Sequence, residues 1–259
     1  FIMFRWDVVW HFLFQDPNLL FLNAAWVTLW LSVVSQTCGV ILGLFLALMR
    51  TSRFPVLSWF ARGYIWFFRG SPLLVQVLLL WDGLPKIFPS LLLPDFACIL
   101  VAFSLNEGAY MSEIIRAAIT SVDAGQMEAA KSLGMRYPLA MRRIVLPQAA
   151  RVIVPPLGNE FNNMLKTTSI ASVIGLQELT GSAEIYGSQA FVIFELLIVA
   201  TFYYLVLTTL WGYIQSWIEN RLDPDRLTTK IDLGDKKSFT ERLVGFGGSR
   251  TGGTLVSGR

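Results

Sequence analysis

The sequence predicts an all-α integral membrane protein with five transmembrane helices, and three observations predict it. Of its 259 residues 54% are hydrophobic and only 15% charged, against about 25% charged in an ordinary soluble domain. Two runs carry no Asp, Glu, Lys or Arg: 33 residues from Pro17 to Met49 and 23 from Leu196 to Ile218. Crossing the hydrocarbon core takes about 20 apolar residues in a helix rising 1.5 Å each, so either run is long enough. The third observation is a charge asymmetry that five spans explain and that the net charge of +3 conceals.

The first span is read at about 23–49. Gly39 and Gly43 stand at the spacing that lets helices approach closely in lipid. Arg50, Arg53 and Pro55 end it at a membrane surface. No basic leader with a cleavage site precedes it, so it reads as a retained span and not as a signal peptide. The second span, about 57–81, holds Arg62 and Arg69, and Gly70-Ser71-Pro72 interrupts its hydrogen-bond ladder. Gln76 is the polar residue of its second half, and a turn at Gly83-Leu84-Pro85 closes it.

The third span, about 96–119, carries Glu107, Glu113 and Arg116, polar groups that a membrane helix turns toward the bundle interior. Residues 120–147 are a solvent-facing loop rich in basic residues. Its short helix, Met127 to Leu133, is ended by Gly134, and a further segment begins at Pro138. The fourth span, about 149–168, contains Pro155-Pro156, Asn159, Glu160, Asn162 and Asn163. The fifth, about 191–217, starts near Glu195 and ends in Trp211, Tyr213 and Trp217, residues suited to an interface. This divides the chain into an extracytoplasmic or interfacial segment, 1–22, a membrane domain, 23–219, and a polar tail, 220–259, that looks disordered.

Basic residues favour the cytoplasm. With five spans, one side receives Arg50, Arg53, the 120–147 loop and a tail with eight Lys or Arg from Arg221 onward. The N-terminus is therefore expected outside, and the loop and C-terminus inside.

Ionisable groups in lipid are costly and need a reason. Glu107 is about 17 Å into its span and Glu160 about 18 Å into the fourth at 1.5 Å per residue, so both fall near mid-membrane. Asn159, Asn163 and Lys166 share a helix face, and Asn106 adjoins Glu107. Carboxylates accept from an ammonium; amides and a lysine donate to a carboxylate. An amino acid presents both ends. The structural alternative is that these groups are interhelical glue, worth about 0.6 kcal/mol on average. Arg69, beside the break, fits packing or gating as well as solute contact. Two carboxylates facing one cavity would favour a basic amino acid.

The loop reads Glu128-Ala129-Ala130, three residues, Gly134, nine residues, then Ile144-x-Leu146-Pro147. It resembles the EAA loop of ATP-binding-cassette (ABC) importer permeases at every fixed position. Arg69-Gly70-Ser71-Pro72-Leu73-Leu74-Val75-Gln76, Asn106-x-Gly108-Ala109-Tyr110-x-x-Glu113-Ile114, Gly158-Asn159-Glu160-Phe161 and Leu165-Lys166-Thr167-Thr168-Ser169 resemble segments of the polar amino acid uptake permeases. The likeness covers about residues 20–222, with Thr167 where the family usually has Asp. It implies a type I importer fold with a cytoplasmic coupling helix. It also implies a second permease subunit (identical or a sister chain), two cytoplasmic ATPases, an extracytoplasmic amino-acid-binding protein and an inner-membrane location.

On that reading the ATPase dock comprises Glu128, Ala129, Ala130, Gly134, Arg136, Arg142, Arg143 and Pro147. Glu128 near the helix start would suit the helix dipole, the two alanines would let a partner approach, and the arginines could pair with acidic groups or lipid phosphates. The solute path comprises Glu107, Asn106, Arg69, Asn159, Glu160, Asn163 and Lys166. No Gly-x-x-x-x-Gly-Lys-Ser/Thr phosphate loop is present, so ATP and Mg²⁺ would be bound by the partners and this chain would hold no cofactor. One histidine and two isolated cysteines in apolar surroundings, Cys38 and Cys98, give no metal-ligand spacing and argue against a membrane-embedded enzyme. Nothing points to nucleic acid. The competing function is an ion-coupled amino acid carrier or channel without an ATPase, which has no need of a protruding dock.

Overall fold

The computed structural model describes residues 4–16 and 19–222. The tail expected to be disordered therefore lies, from residue 223 on, outside the described residues. Two compact units are present, Phe1–Gln215 and Ser216–Arg259. In the second, the Arg221 guanidinium stacks on the Trp217 ring at 4.6 Å. All else below concerns the first.

Among the described residues eleven helices follow in order: α1 Trp6–Phe14, α2 Leu20–Arg50, α3 Pro55–Gly70, α4 Leu73–Leu78, α5 Leu84–Ile87, α6 Asp95–Ser121, α7 Ala124–Ser132, α8 Tyr137–Ala140, α9 Leu146–Thr167, α10 Leu179–Ala190 and α11 Ile193–Leu222. Among the described residues there is no strand. Widened π turns, Leu79–Gly83 and Met141–Val145, join α4 to α5 and α8 to α9, and a 3₁₀ stretch, Thr168–Ile174, follows α9.

By length and composition α2, α6 and α11 can each cross a membrane. The pair that α3 makes with α4 and α5, bent by 105°, is apolar enough when taken together to be a broken span or a re-entrant loop. At 22 residues, α9 is about 33 Å long at 1.5 Å per residue, but Arg151, Glu160, Lys166 and two prolines make it less apolar than α2, α6 and α11.

Small residues on α2 set the central packing. A Cβ on Gly39 would fall 2.6 Å from the Glu107 Cβ, and one on Gly43 would fall 2.5 Å from the Met111 Cβ. The close approach of α2 and α6 thus depends on glycine at both positions. Beneath this seam Leu31, Val77, Ile99, Phe103 and Met164 form one buried cluster. A second joins Val8 and Val9 of α1 to Phe21 of α2 and to Leu196 and Val199 of α11.

Near the start of α11, Glu195 is buried and accepts the Arg5 backbone N–H at 3.0 Å. The Arg5 side chain pairs with Asp7 at 2.9 Å. Its hydrogen bond holds the exposed Asp7 carboxyl below the usual carboxylate range.

The break in the second span is accounted for group by group. Pro72 has no N–H, so the Phe68 carbonyl four residues earlier loses its helical donor. The Gln76 side-chain amide donates to it at 2.9 Å and the Asn106 amide at 3.0 Å. Asn106 also donates to Gln76 Oε1 at 3.1 Å. The freed backbone group expected at this break is thus satisfied by side chains.

Candidate functional site

The loop motif after α6 forms a compact projection, with three differences from expectation. First, α7 begins at Ala124, capped by the Asp123 side chain accepting the Gly125 N–H at 2.6 Å. Glu128 therefore sits mid-helix, away from the N-terminal dipole. Second, Ala129 is exposed but Ala130 is buried, so the two alanines do opposite jobs: Ala130 seats the helix and Ala129 faces out. Third, Pro147 lies in the first turn of α9, after the π turn that carries Arg142 and Arg143.

Gly134 ends α7 in the left-handed region, φ +78°. The Met135 N–H returns to the Ala130 carbonyl at 3.0 Å, the closing bond of a glycine C-cap. An alanine there would cost about 1–2 kcal/mol. Arg136, Arg142 and Arg143 are all exposed on this projection, as is Leu133 at 81%.

In the membrane domain, a cleft of about 450 Å³ lies between α6 and α9, lined by Asn106, Glu107, Tyr110, Glu160, Asn163 and Lys166 among others. That volume suits a small-molecule ligand. Five of the seven expected path residues meet here, from two helices far apart in sequence. Glu107 and Glu160 are near enough to act on one another electrostatically. The Glu107 side chain is 5% exposed and its Oε1 has no hydrogen-bond partner. Lys166 is also in the lining, which thus carries two carboxylates and one lysine.

Two expected residues are elsewhere. Asn159 does not share the cleft face with Asn163 and Lys166; its Oδ1 accepts from Gln215 of α11 at 3.3 Å. Arg69 lies outside the lining, 3.6 Å from Glu113 and with its guanidinium over the Tyr110 ring at 5.2 Å. It therefore supports Tyr110 from outside the cleft. Asn106 does reach the lining, but its amide nitrogen already donates to Phe68 and Gln76.

Sequence reasoning missed three features. Tyr110 lies three and four residues after Glu107 and Asn106, a spacing that would have placed it on their face. Glu113 receives Arg50, Arg69 and Arg116 from three helices. Buried Glu178 accepts the Gly181 N–H at 2.8 Å and the Tyr204 hydroxyl at 2.6 Å, tying the start of α10 to α11.

A family model described as the binding-protein-dependent transport system inner membrane component matches residues 39–224. The chain belongs to that family. As such it is a multi-pass inner-membrane component of an ABC importer, which operates with an ATPase and a solute-binding protein. Curated relatives include the arginine transport system permease protein of Corynebacterium glutamicum, 40% identical over 85% of this chain and 72% of that one. The octopine transport system permease protein of Rhizobium meliloti is 42% identical over 80% and 88%. A crystal structure of an amino acid ABC transporter with histidines is 43% identical, with a TM-score of 0.75 over 79% of this chain and 94% of its own. An inward-facing MetNI methionine ABC transporter, 16% identical with a TM-score of 0.64 over 80% and 99%, shares the fold.

Proposed function

We propose that the family member described here is the membrane-spanning permease subunit of an ATP-driven importer of polar, basic amino acids, working by alternating access. One observation carries the substrate class: two carboxylates, Glu107 and Glu160, share a cleft with a single ammonium, Lys166. Lys166 and Asn163 supply donors for the carboxylate end of an amino acid. Glu160 and Glu107 supply acceptors for its cationic groups, in surroundings where charge interactions are stronger than in water. The arginine and octopine permeases among the relatives are consistent with this class.

Two such subunits, identical or sister chains, enclose the path on this reading. Two ATPases, which hold the ATP and Mg²⁺, grip the projections formed by Glu128, Ala129, Leu133 and the exposed arginines. A binding protein delivers solute from the opposite face. The N-terminus is outside and the projection inside, as the distribution of basic residues favours. This chain breaks no covalent bond; its role is to present the cleft alternately to the two sides. An ion-coupled carrier would leave the α7 projection without a purpose.

The test is uptake into proteoliposomes containing the complete complex, with the binding protein outside and ATP inside. Labelled arginine should accumulate only with both, and faster than neutral amino acids. Solute flux through this chain without an ATPase would overturn the proposal.

A further inference from the structure

Gln36 of α2 is buried, 5% exposed, and belongs neither to the cleft lining nor to the motifs that carry the resemblance. It stands one turn from Gly39, the residue against which Glu107 is packed. Its Nε2 donates to the Met111 sulfur at 3.7 Å, and a thioether is a weak acceptor. Its Oε1 has no partner. The amide also faces the Glu107 carboxylate, whose Oε1 is likewise unpartnered. A buried amide with half its hydrogen-bonding capacity unused is destabilising unless it has another task. The carboxylate beside it lines the cleft.

We propose that Gln36 is a positioning residue for solute recognition: its side-chain amide steers the Glu107 carboxylate so that one oxygen stays turned into the cleft for a cationic group. The inference rests on the proposed role of Glu107. Gly39 and Gln36 then act as a pair. The glycine admits the Glu107 stem between the helices, and the amide sets the rotation of its head. A carboxylate free to turn back against α2 would meet the same ligand with poorer geometry. The effect should therefore appear only for ligands that carry the cation.

The experiment measures equilibrium binding of L-arginine and of citrulline, its neutral isostere, to the purified permease–ATPase complex. Complexes carry wild type, Gln36→Met, Glu107→Gln or both changes. Gln36→Met keeps the length and removes the amide; Gln36→Leu is measured alongside it in case the methionine variant does not assemble. The expected result is roughly tenfold weaker arginine binding in Gln36→Met, the scale of one hydrogen bond to a charged group. Citrulline binding should be unchanged, and Gln36→Met should add nothing in the Glu107→Gln background. Equal weakening for both ligands would show mere packing and overturn the proposal, as would additive effects. If Glu107→Gln abolishes the arginine preference and Gln36→Met keeps it, only the Gln36 proposal fails. If Glu107→Gln keeps the preference, the reading of Glu107 fails with it.

Discussion

Glu107 and Glu113 stand six residues apart on one helix and live in opposite electrostatic circumstances. Glu113 gathers guanidinium groups from the ends of α2 and α3 and from its own helix, where Arg116 lies 3.0 Å away. Every oxygen has a partner. Glu107, the more deeply buried of the two, has an oxygen with none and another carboxylate nearby. A membrane helix pairs the charges it uses for assembly. On the proposed function, a carboxylate that lines a cleft with one oxygen unpartnered is held for a cationic group that arrives, and that reading makes Glu107 rather than Glu113 the recognition group.

Substitutions can break that contrast. The largest effect is expected from Glu113→Ala, which strands three guanidinium groups. Because the pairs are partly exposed, the loss should fall near or below the lower end of the roughly 3–5 kcal/mol seen for a broken buried pair. A thermal melt of the assembled complex measures it, and a complex as stable as wild type would remove the structural role. Next is Gly39→Ala, whose Cβ would press on the Glu107 stem. Overpacking of this kind costs about 1–3 kcal/mol, and arginine binding should weaken as the carboxylate is displaced. Smaller in stability, Glu107→Gln should leave the melt unchanged or raise it by up to about 2 kcal/mol, since it removes a charge with an unpaired oxygen. A clear drop would place Glu107 with Glu113 as a structural group. Arg5→Gln should have the smallest effect: it removes an exposed ion pair, while the bond from residue 5 to Glu195 is made by the backbone. Its melt should match wild type.

The contrast also shows what a sequence can disclose. The charge-free runs place α2 and α11, because hydrocarbon thickness alone sets their length. Composition conceals α9: the residues that serve the cleft are those that lower its hydropathy. Pro72 announces the break at Gly70–Pro72, but the partners of the Phe68 carbonyl come from residues 76 and 106 and are visible only in three dimensions. The start of α7 was legible and overlooked. Asp123 followed three residues later by Gln126 is a capping pattern, and it moves the helix start upstream of Met127. Helical spacing brought Asn163 and Lys166 to one cleft but could not turn Asn159 toward Gln215, a partner 56 residues away. Glu113 escaped notice as a hub because its partners stand 63 and 44 residues before it and three after, with no local pattern to join them.

The most direct measurement is the ratio of arginine to citrulline affinity in the assembled complex, compared between Glu107→Gln and Glu113→Gln. Loss of the arginine preference in the first, with its melt intact, and a lowered melt with the preference kept in the second, is the predicted result. A preference that survives Glu107→Gln but disappears with Glu113→Gln would contradict the account.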